Sequence, residues 1–150
     1  MRLHIRDATP ADLPAILALT AEDSMHYYAD EPTEPTPELL AALDEITRDA
    51  HQRLLVGELD GVVVVTAQVT YMRMLNGNGA LYCQVESVRT ASHLRGQGLG
   101  GELMQYIEDE ARLRGVARIQ LTSNAQRKDA HRFYERLGYT ASHVGMKKYL

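Results

Sequence analysis

The sequence predicts one mixed α/β domain with a sheet of six to seven strands and about four helices around it. Three observations predict this fold class. Short runs of alternating apolar residues and longer runs with helical spacing follow one another in the order β-α-α-β-β-β-α-β-α-β. A strong hairpin signal joins two of the strands, and a glycine-rich segment begins the clearest helix. The length of 150 residues suits a single domain that spans residues 1–150.

Composition and charge argue against several classes of protein. The net charge of −4 and the isoelectric point near 5.8 disfavour a nucleic-acid binder, which needs a basic face. A single cysteine excludes an intrachain disulfide and a cysteine-based zinc cluster, and the histidines show no metal-ligand spacing. No apolar run approaches the ~18 residues of a membrane span, and the N-terminus has no apolar core of a signal peptide. We therefore expect a cytoplasmic protein that binds no membrane, nucleic acid or metal.

The N-terminal quarter reads as a strand followed by two helices. Leu3 and Ile5 alternate with polar neighbours, as in a short strand. Thr9 and Thr36 each precede a proline, which is the combination of N-cap and first-turn residues that begins a helix. The segment 21–35 between the two helices is acidic and irregular.

The middle of the chain predicts a hairpin and a third strand. Residues 54–59 and 62–72 are strand-like, and Asp60 and Gly61 between them suit the positive φ angles of a tight two-residue turn. Residues 81–89 read as the next strand. The three segments predict neighbouring antiparallel strands.

The C-terminal third predicts a long helix, a strand, a short helix and closing strands. Leu99, Leu103, Ile107 and Ala111 form an apolar stripe at steps of four, and Gly115 ends that helix. A strand at 119–121 and a helical stripe at 130–137 follow. The tail 139–150 reads as one or two closing strands.

The glycine-rich segment that begins the long helix predicts an anion-binding loop. It reads Arg95-Gly96-Gln97-Gly98-Leu99-Gly100-Gly101. Glycines let backbone N–H groups turn towards a ligand, and the helix start attracts negative charge, to which Arg95 adds a cation. The segment thus fits a phosphate or diphosphate cradle, and a tight loop that only caps a helix is the alternative.

Two better-known glycine motifs do not fit this segment. Gly96, Gly98 and Gly101 match the spacing G-x-G-x-x-G of dinucleotide-binding folds. That motif directly follows a strand and needs an acidic residue ~20 positions later, whereas here five residues intervene and the next strand ends in Thr-Ser-Asn. A Walker A loop needs a Lys-Ser or Lys-Thr pair, which is also missing from the segment.

The pattern Arg95-x-x-Gly98-x-Gly100 at a helix start resembles the acetyl-CoA diphosphate motif of the GNAT acetyltransferase superfamily. The segments 85–89 and 121–139 resemble the strand, strand and helix that surround that motif in the family, and the likeness is dense from about Val85 to Tyr139. The resemblance implies a mostly antiparallel, twisted sheet and direct acetyl transfer from acetyl-CoA to an amine. It also implies that two copies of the chain can form a homodimer.

The resemblance also implies roles for individual residues. Glu86 is expected to act as general base, directly or through water, and Tyr134 as the acid that protonates the departing thiolate. Alternatively, Glu86 only orients the substrate or pairs with a cation, and Tyr134 is an aromatic residue that only packs against its neighbours. The residues expected to bind acetyl-CoA are Val88, Arg89, Arg95, Gly96, Gln97, Gly98, Leu99, Gly100, Gly101 and Asn124.

The acceptor is expected to be a primary amine of a small molecule. Tyr27 and Tyr28 lie in the acidic segment and suit a cationic amine, although a solvated loop is an equal interpretation. The C-terminal third resembles aminoalkylphosphonate N-acetyltransferases, whereas the N-terminal half shows no obvious likeness to them. Protein amine acetylation and a non-catalytic acyl-CoA sensor are the remaining alternatives.

Overall fold

The structure, a computed structural model, describes residues 2–22 and 31–150. Contacts within the chain divide it into two compact units, Met1–Gln120 and Leu121–Leu150. The first unit contains most of the sheet and the long helix, and the second contains the last helix and the tail.

Five strands form one sheet in the order β1-β2-β3-β4-β5. The first three pairings are antiparallel, which confirms the hairpin and the mostly antiparallel sheet. The strands are β1 (His4–Asp7), β2 (Gln52–Leu59), β3 (Val62–Arg73), β4 (Leu81–Thr90) and β5 (Arg118–Leu121). Asp60 and Gly61 between β2 and β3 have φ angles of 50° and 80°, as the predicted tight turn requires.

Five helices accompany the sheet in the described residues. They are α1 (Leu13–Ala21), α2 (Pro37–Arg48), the single turn α3 (Asn76–Gly79), α4 (Leu99–Leu113) and α5 (Lys128–Arg136). Thr36 caps α2 as predicted, because its hydroxyl accepts a hydrogen bond of 3.1 Å from the backbone N–H of Leu39. The predicted helix start at Thr9 is a short 3-10 turn, Pro10–Asp12, which leads into α1.

The two faces of the sheet pack against different helices. One face carries the apolar cluster of Ala8, Leu13, Leu43 and Val56, which joins the sheet to α1 and α2. The other face packs against α4, whose apolar stripe is buried. That stripe consists of Leu99, Leu103, Met104, Ile107 and Ala111.

The α/β fold class is confirmed, but the strand count is smaller than predicted. The sheet has five strands rather than six to seven, because the tail 139–150 forms no strand. The backbone hydrogen bonds described there are local, from Tyr139 to Tyr134 and from Ser142 to Thr140. Alternating side chains indicate propensity only, and a strand also needs a neighbouring strand to accept its backbone N–H groups.

Candidate active site

A bulge interrupts β4 at the centre of the predicted site. Glu86 faces Gln68 on β3 and Arg89 faces Thr66, so that Ser87 and Val88 together oppose a single residue of β3. Ser87 has a φ of 55°, which is rare for a residue with a side chain. Such a bulge bends the strand and breaks the regular ladder, and bulges are common beside active sites. The bulge leaves one extra residue outside the regular ladder next to Glu86.

Glu86 lies on the face of the sheet opposite to α4. Its neighbours along the strand, Val85 and Cys83, are buried on the α4 face, whereas the Glu86 side chain is exposed. The side-chain amide of Gln84 donates a hydrogen bond of 3.0 Å to Oε1 of Glu86. Gln120 on β5 donates in turn to Oε1 of Gln84, at 2.9 Å. The structure thus places the predicted base at the end of a chain of two amides.

Val88 and Arg89 follow the bulge, and both are partly buried. A guanidinium nitrogen of Arg89 lies 3.5 Å from the carbonyl oxygen of Val88. The backbone groups of these two residues are expected to bind acetyl-CoA. The irregular ladder around Ser87 is compatible with that expectation.

The loop between β4 and α4 has the backbone that its glycines allow. Gly96 and Gly98 have φ angles of 78° and 84°, in the left-handed region that favours glycine. Residues 95–98 are exposed, while Leu99 is buried and fixes the helix start in the core. Arg95 donates from Nε to the carbonyl oxygen of Thr90 at 3.3 Å, which closes the loop on the end of β4.

The first turn of α4 presents backbone N–H groups to this loop. Gly98 is the N-cap, and the N–H of Glu102 makes the bond of 3.0 Å to its carbonyl oxygen. The N–H groups of residues 99–101 precede that bond and have no partner one turn earlier in the helix. A Cβ added at Gly101 would meet no atom within 4 Å, so packing does not require this glycine.

Arg2 and Glu102 are parts of this region that the sequence analysis missed. Glu102 accepts hydrogen bonds from the backbone N–H groups of Arg2 and Leu3, at 2.9 and 3.1 Å. Burial alone would raise the pKa of Glu102, but these bonds and the Arg2 side chain outweigh it and lower the pKa. The Arg2 guanidinium also bonds to the carbonyl oxygen of Gln97. Each of these hydrogen bonds joins residues about a hundred positions apart in the sequence, so no local sequence pattern predicts them.

The loop also has a contact with the end of α1. The carboxylate of Glu22 accepts a hydrogen bond of 2.7 Å from the backbone N–H of Ser92. Ser92 begins a 3-10 turn whose N-cap is Ala91, a residue without a capping side chain. Glu22 therefore supplies the missing cap just before the glycine segment.

The second unit contains Asn124 and Tyr134. Oδ1 of Asn124 accepts a hydrogen bond of 2.8 Å from the backbone N–H of Gln126, as in a turn. The carbonyl oxygen of Asn124 lies 2.8 Å from Nε2 of His131, so this nitrogen carries the proton. Tyr134 is partly buried, with edge-to-face ring contacts to Phe133 and Tyr139 at 5.0 and 5.8 Å between centroids. Tyr27 and Tyr28 lie outside the described residues.

Cys83 takes no part in the candidate site. Its side chain is fully buried on the α4 face, and burial raises the pKa of its thiol to about 11. In the described parts of the chain, no group of three or more His, Cys, Asp and Glu residues could hold a metal ion. None of the helices described is long and apolar enough to cross a membrane.

Comparison with known proteins identifies the family. Residues 16–139 match the model of the acetyltransferase (GNAT) family. The chain belongs to the GNAT acetyltransferase family. It is therefore an acetyl-CoA-dependent N-acetyltransferase, and the expected fold class and enzyme class are confirmed.

Individual relatives of this GNAT acetyltransferase support the assignment over its whole length. An aminoalkylphosphonate N-acetyltransferase from Salmonella typhimurium is 30% identical, and the alignment covers 98% of this chain and 91% of the relative. The resemblance to this class of enzyme is thus confirmed, and it covers the whole chain rather than the C-terminal third alone. The N-terminal half carries generic apolar patterns rather than motif residues, which is why its likeness is invisible in one sequence.

Solved structures share the fold of this acetyltransferase. A crystal structure of a transcriptional regulator from Bacillus halodurans C-125 has a TM-score of 0.88 and 36% identity, and 99% of each chain is covered. A putative acetyltransferase from Agrobacterium tumefaciens has a TM-score of 0.86 and 23% identity, with 98% and 99% covered. Both likenesses extend over nearly the entire chain.

Proposed function

We propose that residues 1–150 work as one N-acetyltransferase domain, which transfers the acetyl group of acetyl-CoA directly to a primary amine of a small molecule. The observation that carries the proposal is the exposed glycine loop at the start of α4, which follows the bulged strand that bears Glu86. The family membership supplies the reaction class.

The glycine loop would hold the diphosphate of the donor. Gly96 and Gly98 adopt a backbone conformation that lets N–H groups face a ligand. Residues 99–101 form the first turn of α4, so their N–H groups have no hydrogen-bond partner within the helix. Arg95 lies at the same loop. The backbone of Val88 and Arg89 and the amide of Asn124 would bind the pantetheine arm, for which the Asn124 side chain offers its NH₂ group because its oxygen is used in a turn.

The transfer step needs a proton acceptor and a proton donor. An alkyl amine with a pKa of ~10.4 is protonated at pH 7, so freeing its lone pair costs on the order of 4–5 kcal/mol. Glu86 would accept this proton, directly or through a water molecule, or would orient the amine that loses it. The amine nitrogen then forms a bond to the thioester carbon, the carbon–sulfur bond breaks, and Tyr134 gives its proton to the sulfur. The nitrogen gives up its second proton, which restores the Tyr134 phenol. The N–H of Val88 would stabilise the thioester oxygen.

The proposed acceptor is a class of compounds, the small molecules with a primary amine. Tyr27 and Tyr28 in the acidic segment would attract a cationic amine. The Salmonella relative favours a second candidate, an aminoalkylphosphonate, because its name gives that substrate. Against it, residues 21–47 contain no lysine or arginine to meet a phosphonate.

A panel of amines assayed for thiol release from acetyl-CoA tests the proposed function. The panel contains aminoalkylphosphonates, polyamines, amino acids, aminoglycosides and a lysine-containing peptide. We expect acetyl-CoA to bind and at least one small amine to be turned over, with the fastest amine defining the acceptor class. Turnover of the peptide alone would indicate protein acetylation. Tight binding of acetyl-CoA without turnover of any amine would instead indicate an acyl-CoA sensor and would overturn the proposal.

A further inference from the structure

We propose that Gln84 is a positioning residue for Glu86 and that Gln120 holds Gln84 in place. The inference rests on the proposed function, since it assigns Glu86 to the acceptor amine. It adds two neutral side chains from β4 and β5 that the sequence analysis did not single out.

Gln120, Gln84 and Glu86 form a hydrogen-bonded relay, and its geometry fixes the direction of each hydrogen bond. Gln84 and Glu86 are two positions apart on β4, so both side chains point to the same face, about 7 Å apart along the strand. The amide nitrogen of Gln84 lies 3.0 Å from Oε1 of Glu86, and the amide oxygen of Gln84 lies 2.9 Å from the amide nitrogen of Gln120. Rotating the Gln84 amide by half a turn would set oxygen against carboxylate and nitrogen against nitrogen. The network therefore has one orientation that satisfies every pair.

The burial of the three side chains explains why the relay matters. Gln84 and Gln120 are partly buried, whereas Glu86 is exposed. An exposed glutamate has several rotamers, and fixing one of them costs conformational entropy. The anchored amide of Gln84 takes Oε1 and restricts these rotamers before the substrate arrives. We assign the other oxygen, Oε2, to the amine.

The face of the sheet agrees with this role. Cys83 and Val85, the alternate residues of β4, are buried against the α4 side, and Tyr71 on that face bonds to Glu110 of α4. Gln84 and Glu86 lie on the opposite face and directly precede the bulge at Ser87. The relay is therefore independent of the core that α4 forms and ends at the irregular part of β4.

Substitution by leucine removes each amide at nearly constant size. We expect Gln84→Leu to lower kcat about tenfold, as the loss of a bond to a charged group would, with the Kd for acetyl-CoA unchanged. Gln120→Leu should lower kcat by a smaller factor, and it keeps the test open if Gln84→Leu fails to fold. The matched control is Gln105→Leu on α4, where Gln105 bonds only to Asp109 in the hydrogen bonds described. Wild-type kcat in both Gln84→Leu and Gln120→Leu would overturn the inference.

A double-mutant cycle separates positioning from a general structural effect. The assay uses the fastest amine of the panel at pH 9, where more of the amine is unprotonated and the residual rate of Glu86→Gln is measurable. We expect Gln84→Leu to change kcat less than about twofold in the Glu86→Gln protein. An equal loss in both proteins would overturn the inference. A wild-type kcat in the Glu86→Gln protein would refute the roles of both Glu86 and the relay. Thiol release by the wild-type protein would in that case still support the proposed function.

Discussion

Single residues with left-handed backbone occur in β4 beside Glu86 and in the loop before α4. Ser87 has a φ of 55° in the bulge beside Glu86, and Gly96 and Gly98 have φ angles near 80° in the loop before α4. Holding a residue with a side chain in this region costs about 1–3 kcal/mol, which surrounding contacts must offset. The two glycines predict left-handed backbone at their positions, whereas Ser87 does not, because serine is an ordinary residue in a strand.

Tyr134 gives a prediction at the scale of one atom. Proton donation from a phenol with a pKa of ~10 to a thiolate of ~8.5 is uphill by about 2 kcal/mol, which positioning must supply. The ring contacts with Phe133 and Tyr139 fix the ring and do not need the hydroxyl. We therefore expect Tyr134→Phe to lower kcat at least about tenfold and to leave the Kd for acetyl-CoA within twofold. Steady-state kinetics and calorimetry check this, and an unchanged kcat would remove the acid role.

At the scale of elements, an ion network ties the start of α1 to β1 and β2. Arg6 donates two hydrogen bonds to the carboxylate of Asp12, at 2.7 and 2.9 Å, and also bonds to Glu58. Asp12 is buried and accepts a further bond from the backbone N–H of Thr9. The Arg6 guanidinium outweighs the effect of burial and lowers the pKa of Asp12 from its usual 3.8 to about 2.

This network makes stability depend on pH with a definite sign. Because the folded pKa of Asp12 is depressed, its contribution is complete above about pH 4 and is lost as the pH falls towards 2. The difference between 3.8 and about 2 corresponds to about 2 kcal/mol at 1.36 kcal/mol per pH unit. We expect Asp12→Asn to lower the free energy of unfolding by about 2 kcal/mol at pH 7, and by about half as much at pH 3. Urea unfolding at both values checks this, and an equal loss at both would contradict it.

The elements that the sequence predicts well are those with local signals. The hairpin follows from Asp60 and Gly61, the α2 start from Thr36, and α4 from its apolar stripe and the glycines before it. The closing strands could not be predicted reliably from the tail 139–150, because pairing depends on a partner that local alternation does not specify.

At the scale of the whole molecule, both faces of the sheet carry a core, and the proposed chemistry lies on the face opposite to α4. On the α4 side, Arg53 is mostly buried and bonds to Glu110, while Tyr71 donates to the same carboxylate at 2.9 Å. On the other side, Gln84 and Glu86 are available beside the bulge. Packing on both faces stabilises the fold, and Gln84 and Glu86 occupy the bulged end of β4 on the face opposite to α4.

The sequence predicts the candidate site unevenly for a physical reason. Glu86 and the glycine loop belong to one continuous stretch, where residue types and spacing carry the signal. The partners that surround them, Arg2 with Glu102 and Gln120 with Gln84, come from distant segments. Tertiary contacts of this kind leave no periodicity or motif behind, so they emerge only from the structure.

The central claim is that the loop before α4 holds the diphosphate of acetyl-CoA. Calorimetric titration of wild-type, Gly98→Val and Gly61→Val proteins with acetyl-CoA tests it most directly. Both glycines have φ angles near 80° and an added Cβ would clash at neither, so both substitutions carry similar backbone strain, but Gly61 lies in the β2–β3 turn. We predict that folded Gly98→Val binds acetyl-CoA at least about 100-fold more weakly than wild type, a loss of about 2.7 kcal/mol, whereas Gly61→Val binds normally. Wild-type affinity in folded Gly98→Val would contradict the account.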